Sequence, residues 1–505
     1  MNDKRQRSFN HPLVFRKKVT LDHPSQEDKK ADCERLIDAL HLDKPVEIPL
    51  SVLQELPSAL RKNGFAVDVS IGVTYSSYRV ISLQPRKIYG IAVDIGSTNI
   101  TASFIDLEVN LVIKHETILN PQLEYGHDVL TRMFKAMSET DHRLHKELIH
   151  GINSLIDTLI KSAGKDNNDV LALVVAGNTV MTHFFLNLSV NNIPVAPYVP
   201  VVHDAGFISP SDIGININRN GSIYIFPNIG SYVGGDIVSG ILYTGIYKNS
   251  VPNLLIDIGT NAEIAVGTKD WIIAGAGAAG PAFDEGISQA GKIAAQGAIY
   301  RTSIKHDTRE VIIKTIGNTK PIGFCGSGLV SLMAELYRAG MINSKGALSN
   351  KETDAVIDTA SGRAFKVHEN DDGAILLYQS EIENFMRTKA AAFSLLYVIV
   401  DSVGISFSDI DKIHITGGLG AAIYPEDYKT LGFMPHFKND SILVVDNASL
   451  RGAEKLITNS RLLNDVEQIT RLIIYKEMNE DKDFMREFVS ANFIPHTNPQ
   501  ILKIQ

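Results

Sequence analysis

Short apolar runs that end in an acid and a glycine punctuate this chain, and amphipathic stretches of helical period lie between them. One run leads from Ile88 through Ile91, Ala92 and Val93 into Asp94, Gly96, Ser97, Thr98 and Asn99. An alternating pattern then resumes through Ile100, Ala102 and Phe104 to Asp106. Such a sequence predicts strand, tight turn, strand. The turn carries the chemistry. Gly96 lets backbone approach an anion, and successive N–H groups with the hydroxyls of Ser97 and Thr98 can donate to phosphate oxygens. The pattern recurs at Leu254, Leu255 and Ile256, which lead into Asp257, Gly259, Thr260, Asn261 and Glu263 and a second alternating strand. Two copies predict an internally duplicated α/β protein that clamps a nucleotide phosphate between its halves.

The remaining segments fill in the organisation. Residues 1–20 are rich in Arg and Lys and read as a solvated arm or edge strand. Leu36, Ile37 and Leu40 predict a helix over 31–41, and a second, short helix over 50–61 meets an obstacle at Pro57. Residues 64–83 alternate as strands, so 1–86 reads as a small α+β module. The first half follows over 88–250. It contains an amphipathic helix over 151–162, with Ile152, Leu155, Ile156, Leu159 and Ile160 on one face. A buried strand over 171–176 then runs into Gly177, Asn178 and Thr179 at a helix start. Asn178 and Thr179 there either cap the helix or bind a ligand. His183, on the apolar side of that helix, reads as a core histidine. Gly234, Gly235 and Asp236 open another apolar helix. Asp236 either complements the positive helix end or acts as a general base or a water-mediated magnesium contact.

The second half runs over 251–465 and the tail over 466–505. After the second hairpin comes a glycine-rich tract over 274–286. Gly323, Gly326, Ser327 and Gly328 then open a helix, with Ser327 as its N-cap and Gly340 as its stop. Ser380 and Glu383 form a capping-box pattern ahead of a long helix through residue 400. A short strand over 412–416 ends in Gly417, Gly418 and Gly420, a pattern suited to close packing against a flat ligand such as adenosine. The tail reads as a helix followed by docked Phe488, Val489, Phe493 and Ile494.

Composition narrows the function. A net charge of -8 leaves no basic footprint, so nucleic acid is not an expected partner. No apolar run is long enough to span a bilayer, so no membrane association is expected, and the polar first residues lack a secretory pattern. Cytoplasm is the expected location. Cys33 and Cys325 are the only two cysteines. They give no disulfide framework and no zinc spacing, and a cluster takes about four thiolates, so no iron–sulfur cluster is expected in this chain. Cys325 reads as a small apolar packer.

Taken in order, the two hairpins, the glycine helix start at 229–240, the Gly-Gly-x-Gly at 417–420 and Gly452-Ala453 resemble the actin, Hsp70 and sugar-kinase superfamily. That resemblance implies two ribonuclease-H-like, actin-like ATPase halves around ATP. It implies that Asp94 and Asp257 face magnesium, through water, and the attacking water molecule. Ser97, Thr98, Asn99, Thr260, Asn261 and Glu263, with Gly96 and Gly259, would serve the phosphates. Gly417, Gly418 and Gly420 would line the adenosine. Within the superfamily, Gly177-Asn-Thr-Val-Met181, Ser231-Tyr-Val-Gly-Gly-Asp236, Ile256-Asp-Ile-Gly-Thr-Asn-Ala-Glu263, Ala278-Ala-Gly-Pro-Ala-Phe283 and Phe324-Cys-Gly-Ser-Gly-Leu329 look like the ATP-dependent reductive activators of corrinoid proteins. The last of these motifs adds Gly326 and Ser327 to the nucleotide set. Asp32 to Leu36, Leu56-Pro57 and Arg61 resemble that family's middle domain, and Phe493 to Thr497 its tail.

The resemblance implies an ATPase that couples turnover to reduction of cobalt(II) to cobalt(I) in a corrinoid protein, and a homodimer. It begins near residue 12, without the family's ferredoxin-like domain, so the electron is expected from a separate low-potential iron–sulfur protein. Two rival readings follow from the same residues. A small-molecule kinase would use Asp236 to deprotonate a substrate hydroxyl, and a non-catalytic ATP-dependent scaffold would only bind nucleotide.

Overall fold

The computed structural model describes residues 11–138, 141–259, 261–277, 288–292, 294–305, 307–349, 354–370, 373–417, 424–478 and 481–504. By compactness the chain divides into two units, Met1–Tyr243 with Ser449–Arg471 and Thr244–Ala448 with Leu472–Gln505.

The first unit opens with strands β1 (Val14–Thr20), β2 (Val46–Glu47), β3 (Ala66–Val73) and β4 (Tyr78–Leu83), in the order β1-β3-β4-β2, and helices α1 (Asp32–Leu40) and α2 (Leu50–Lys62). Pro57 does not break α2 as the sequence predicts. Val52, Leu56 and Leu60 are buried along one stripe, and that burial carries the helix past the missing N–H. The module rests on the rest of the unit through paired hydroxyls of Tyr75 and Tyr224 at 3.0 Å and an Asn220 Nδ2 bond to the Ile81 carbonyl at 3.1 Å.

Six strands follow in this unit: β5 (Tyr89–Ile95), β6 (Asn99–Asp106), β7 (Leu111–Leu119), β8 (Val170–Gly177), β9 (Gly206–Ile208) and β10 (Ser222–Ile225). They form one sheet in the order β7-β6-β5-β8-β10-β9. β5 pairs antiparallel with β6 and parallel with β8, and β8 pairs parallel with β10. β8 is buried at every position, as a parallel strand covered on both faces must be. The helices are α3 (Val129–Ser138), α4 (Arg143–Ser162), α5 (Thr179–Phe185), α6 (Pro210–Ile213) and α7 (Gly235–Thr244). α4 starts earlier than its clearest apolar stripe, because Leu144, Leu148 and Ile149 extend the buried face.

The second unit repeats the plan. β11 (Asn253–Ile258), β12 (Ala262–Gly267) and β13 (Ile272–Gly277) form an antiparallel meander. A small sheet of β14 (Ala298–Ile304), β15 (Val311–Thr315) and β16 (Gly323–Phe324) precedes α8 (Gly326–Arg338), and β17 (Val356–Thr359), β18 (Gly362–Asn370) and β19 (Gly373–Tyr378) precede α9 (Gln379–Ser402). β20 (Lys412–Thr416), α10 (Pro425–Leu431) and β21 (Ile442–Val444) follow; α11 (Ala448–Thr458) and α12 (Leu462–Leu472) then return the chain to the first unit, and β22 (Ile473–Tyr475) and α13 (Lys482–Ala491) complete the second. The second large sheet runs β21-β20-β11-β12-β13-β22, with β20 parallel to β11 and β21 parallel to β20. In each large sheet, then, a three-strand meander begins with the aspartate hairpin, and two parallel strands extend from its first strand. The duplication read from the sequence is a duplication of topology.

Several local readings need correction. α8 is capped by Cys325, not Ser327, because β16 runs straight into the helix and places Ser327 inside the first turn. Cys325 is buried, with its thiol 3.4 Å from the Ile299 carbonyl. α9 begins one residue before Ser380. Its start is fixed by Glu381, whose carboxylate accepts the N–H groups of Tyr378 at 2.8 Å and Gln289 at 2.6 Å. In the tail Ile494 is buried and Phe488 packs beside Phe393 of α9, but Val489 is 65% exposed on the outer side of α13.

One buried cation fastens that tail. Lys389 of α9 is inaccessible to solvent, and its Nζ donates to the carbonyls of Ala491 at 2.6 Å, Phe493 at 2.8 Å and Pro495 at 2.6 Å. An ammonium has three donors, and all three are used. Lys389→Met keeps the apolar stem but strands three carbonyls, so a loss of about 2–4 kcal/mol is expected in urea unfolding, with the tail becoming protease-sensitive first. Unchanged stability would show that the tail is held by its apolar contacts alone.

Candidate functional site

In the first unit the end of β5 carries Asp94, and residues 96–98 form the turn into β6. Parallel pairing of Asp94 with Ala176 and Ile95 with Gly177 brings this turn beside the start of α5. There Asn178 is the N-cap: its Oδ1 accepts the Met181 N–H at 3.0 Å, and its Nδ2 donates to the Ser97 hydroxyl at 3.3 Å. Thr179 donates through its hydroxyl to the Gly230 carbonyl at 2.6 Å and so ties down the loop that leads to α7. A side chain at Gly234 would sit 2.5 Å from the Asn178 backbone, so only glycine lets α7 start this close to α5. His183 is the core histidine that the sequence predicts. Its Nδ1 faces the Thr179 carbonyl at 2.7 Å and its Nε2 accepts the Val201 N–H at 3.0 Å.

That packing delivers Asp236, in the first turn of α7, to Asp94. Burial first, and the charge of Asp94 second, push the Asp236 carboxyl up to about 7, while N–H groups at the helix start, including that of Ile237 at 2.8 Å, pull the other way. Asp94 in turn accepts the Ser449 hydroxyl at 2.8 Å at the start of α11. The first unit thus gathers Asp94, Gly96, Ser97, Thr98, Asn99 and Asp236, and adds Asn178 and Ser449.

In the second unit Asp257 of β11 stands opposite Glu263 of β12 in the ladder, and the Gly259 N–H donates to the Asn261 carbonyl at 2.9 Å to close the turn. Gly417, at the end of β20, has φ +91°, and a side chain on it would come within 2.4 Å of Asp257 Oδ1. The strand end is therefore glycine because it lies on the carboxylate. Asp257, Gly259, Asn261, Glu263 and Gly417 form one group. Gly326 and Ser327 open α8 beside β14 and β16. Thr260, Gly418 and Gly420 lie outside the described residues.

The donor set suits a cation that arrives with phosphate. Magnesium takes one or two carboxylates and keeps water or phosphate oxygens for its other positions. Asp94 beside Asp236 offers that in the first unit. No group of three or more His, Cys, Asp or Glu residues able to hold a metal occurs among the described residues, so no all-protein cage competes with this arrangement there.

Two large sheets of like topology, each beginning with an aspartate hairpin, define a protein of the actin-like ATPase class with ribonuclease-H-like halves. Comparison with known proteins gives the particular family. The chain matches the RACo linker region over residues 3–88, the RACo middle region over 89–249 and the C-terminal domain of RACo, the ASKHA domain, over 252–504. It belongs to the RACo family. A corrinoid activation enzyme, RamQ of Eubacterium limosum, is 28% identical over 436 residues, 83% of this chain and 73% of that protein. A [Co(II) methylated amine-specific corrinoid protein] reductase of Methanosarcina barkeri is 25% identical over 416 residues, 76% of this chain and 73% of that protein. A solved structure of a reductive activator for corrinoid, iron–sulfur protein superimposes with a TM-score of 0.90 at 32% identity, covering 98% of this chain and 81% of that one.

Of the two roles open to Asn178 in the sequence, the cap is formed. Ser449, Arg132 and Asn120 carry no motif that marks them, yet the last two grip the first turn from behind. An arginine on the apolar stripe of α3, three residues after Val129 and beside Met133, was the available signal. If Asp257 serves the nucleotide, Asp257→Ala is expected to lose ATP turnover at least a hundredfold, on the order of 3 kcal/mol of barrier, with an unchanged circular-dichroism spectrum. Full turnover in that variant would remove the residue from the site.

Proposed function

We propose that this chain is an ATP-dependent reductive activator that returns the cobalt(II) of a corrinoid protein to cobalt(I). One observation carries the reading: RACo family models run nearly end to end along a chain whose two large sheets each begin with a carboxylate-bearing hairpin. Of the relatives named above, one is a corrinoid activation enzyme and the other a reductase of a Co(II) corrinoid protein.

In this reading Asp94 of the first unit and Asp257 of the second are the carboxylates that would serve magnesium and the attacking water, and Asp236 would share a proton with Asp94. Magnesium supplies neutralisation of phosphate charge. Ser97, Thr98, Asn99, Thr260 and Asn261 donate to the phosphates, with Gly96, Gly259, Gly326 and Ser327 giving close backbone approach and Glu263 fixing Asp257. Gly417, Gly418 and Gly420 lie along the adenosine. Catalysis rests on positioning and charge stabilisation, as for phosphoryl transfer in general. Each reduced cobalt takes one electron, and ATP hydrolysis supplies none. With two cysteines against the four that a cluster takes, the electron comes from a separate low-potential iron–sulfur protein. The protein acts in the cytoplasm as a homodimer.

The test is a purified mixture of this protein, a cobalt(II) corrinoid protein and a low-potential reductant, followed by the cobalt(I) absorbance. Cobalt(I) is expected only when ATP and this chain are both present. ATP hydrolysis with no effect of the corrinoid protein would instead favour the kinase reading and a screen of hydroxylated substrates. Sedimentation equilibrium at micromolar concentration is expected to give the dimer mass, and a monomer there would sink the homodimer proposal.

A further inference from the structure

The turn between β5 and β6 is gripped from behind by a short segment that the nucleotide reading does not use. Asn120 donates its backbone N–H to the Thr98 carbonyl at 2.8 Å and its side-chain Nδ2 to the Gly96 carbonyl at 2.9 Å. Arg132 of α3 donates Nη2 to the Ser97 carbonyl at 2.6 Å and Nε to the Gly126 carbonyl at 2.8 Å. Three successive carbonyls of the turn, those of Gly96, Ser97 and Thr98, therefore point into this segment. In a planar trans peptide the N–H points opposite to the C=O. The N–H groups of Ser97, Thr98 and Asn99 are thereby aimed at the other side of the turn.

The grip is itself rigid. Asn120, Gln122 and Arg132 have essentially no exposed surface. Asn120 Oδ1 accepts the Gln122 N–H at 2.9 Å, and Gln122 reaches the Leu144 carbonyl of α4 at 3.0 Å. The charge is unusual for its setting. Arg132 makes no ion pair among the described residues, and Asp128, whose charge acts on it, already accepts the Thr131 N–H at 2.8 Å and the Thr131 hydroxyl at 2.7 Å. Burial lowers the guanidinium to about 10, so it stays charged at neutral pH. Its other guanidinium nitrogen, Nη1, reaches only the Gln122 amide oxygen at 3.4 Å and the Met181 sulfur at 3.9 Å, all neutral partners. A buried cation held by neutral groups alone is expensive to keep, and an apolar residue would fill the same space at lower cost. An anion in front of the turn would offset that cost.

We infer that Arg132 and Asn120 are positioning residues for the nucleotide phosphates, aiming the N–H groups of the 96–98 turn at them and, through Arg132, setting a buried positive charge behind. The inference rests on the nucleotide reading above and adds the phosphate group as what the segment recognises. Neither residue touches the ligand; both act through the turn.

Isothermal titration of ATP, ADP and adenosine into the full chain tests this, with magnesium present and thermal melting as the check of folding. Arg132→Gln is expected to weaken ATP and ADP about tenfold to a hundredfold while adenosine changes less than about twofold. Arg132→Lys keeps the charge without the planar fork and is expected to recover part of the loss. Asn120→Ala keeps the backbone bond to Thr98 and is expected to cost about threefold to tenfold for ATP; it carries the test if Arg132→Gln does not fold. Equal losses for ATP and adenosine, or a lower melting temperature with ATP affinity intact, would overturn the inference. A wild-type chain that binds adenosine as tightly as ATP would instead overturn the phosphate reading of the turn.

Discussion

Like charge held against like charge is the constraint around which the first unit is built. Asp94 and Asp236 come from segments far apart in sequence, and left alone two carboxylates would move apart or one would stay protonated. They are kept together by backbone. Parallel pairing of β5 with β8 fixes Asp94 beside α5, and the missing side chain of Gly234 lets α7 close on the same helix start. The Ser449 hydroxyl and the N–H groups at the start of α7 satisfy part of the negative charge. The remainder is what makes the arrangement complementary to a cation carrying phosphate. Strain of this kind is concentrated at functional sites because nothing in folding alone rewards it.

The hairpins were legible because their signals are local. An apolar lead-in, an acid, a glycine and two hydroxyls fall within ten residues, and the second copy removes the ambiguity of the first. His183 was legible for the same reason, since the apolar face of a seven-residue helix leaves it no other place. Errors were also local, but came from tertiary override. Pro57 should interrupt a helix on propensity, yet a buried stripe on both sides of it holds α2 together. Ser327 has a capping side chain, but the helix begins two residues too early for it to cap.

What the sequence hid depends on contacts between distant residues. Residues 449–471 belong with the first unit, where Ser239 donates to the Ser449 carbonyl at 2.6 Å and Ser103 to Glu454 at 2.6 Å. These partners are more than two hundred residues apart, and no periodicity in either segment announces them. Arg132 is the sharper case. On a helix stripe of apolar residues an arginine reads as an intruder or a snorkelling surface group. Only its bond to the Ser97 carbonyl, in a turn thirty-odd residues earlier, points to a role, and that position follows from the packing of α3 against α4 and α5, with α4 in turn against β6 and β7.

The division of labour in the proposed activity follows from electron counting. Hydrolysis of ATP moves a phosphoryl group and no electrons, so it cannot by itself reduce cobalt. What it can do is favour one conformation over another, to the extent that the nucleotide states bind the two unequally. A partner that binds those conformations unequally has its own equilibrium shifted by the same coupling free energy, and a reduction is such an equilibrium. Cys325 is buried with its thiol against the Ile299 carbonyl and the Ser327 hydroxyl, and Cys33 is half-buried on α1, neither beside the aspartates of its own unit's hairpin in sequence or strand order. On the proposed reading this chain's contribution to cobalt is indirect, by making the corrinoid partner easier to reduce while another protein delivers the electron.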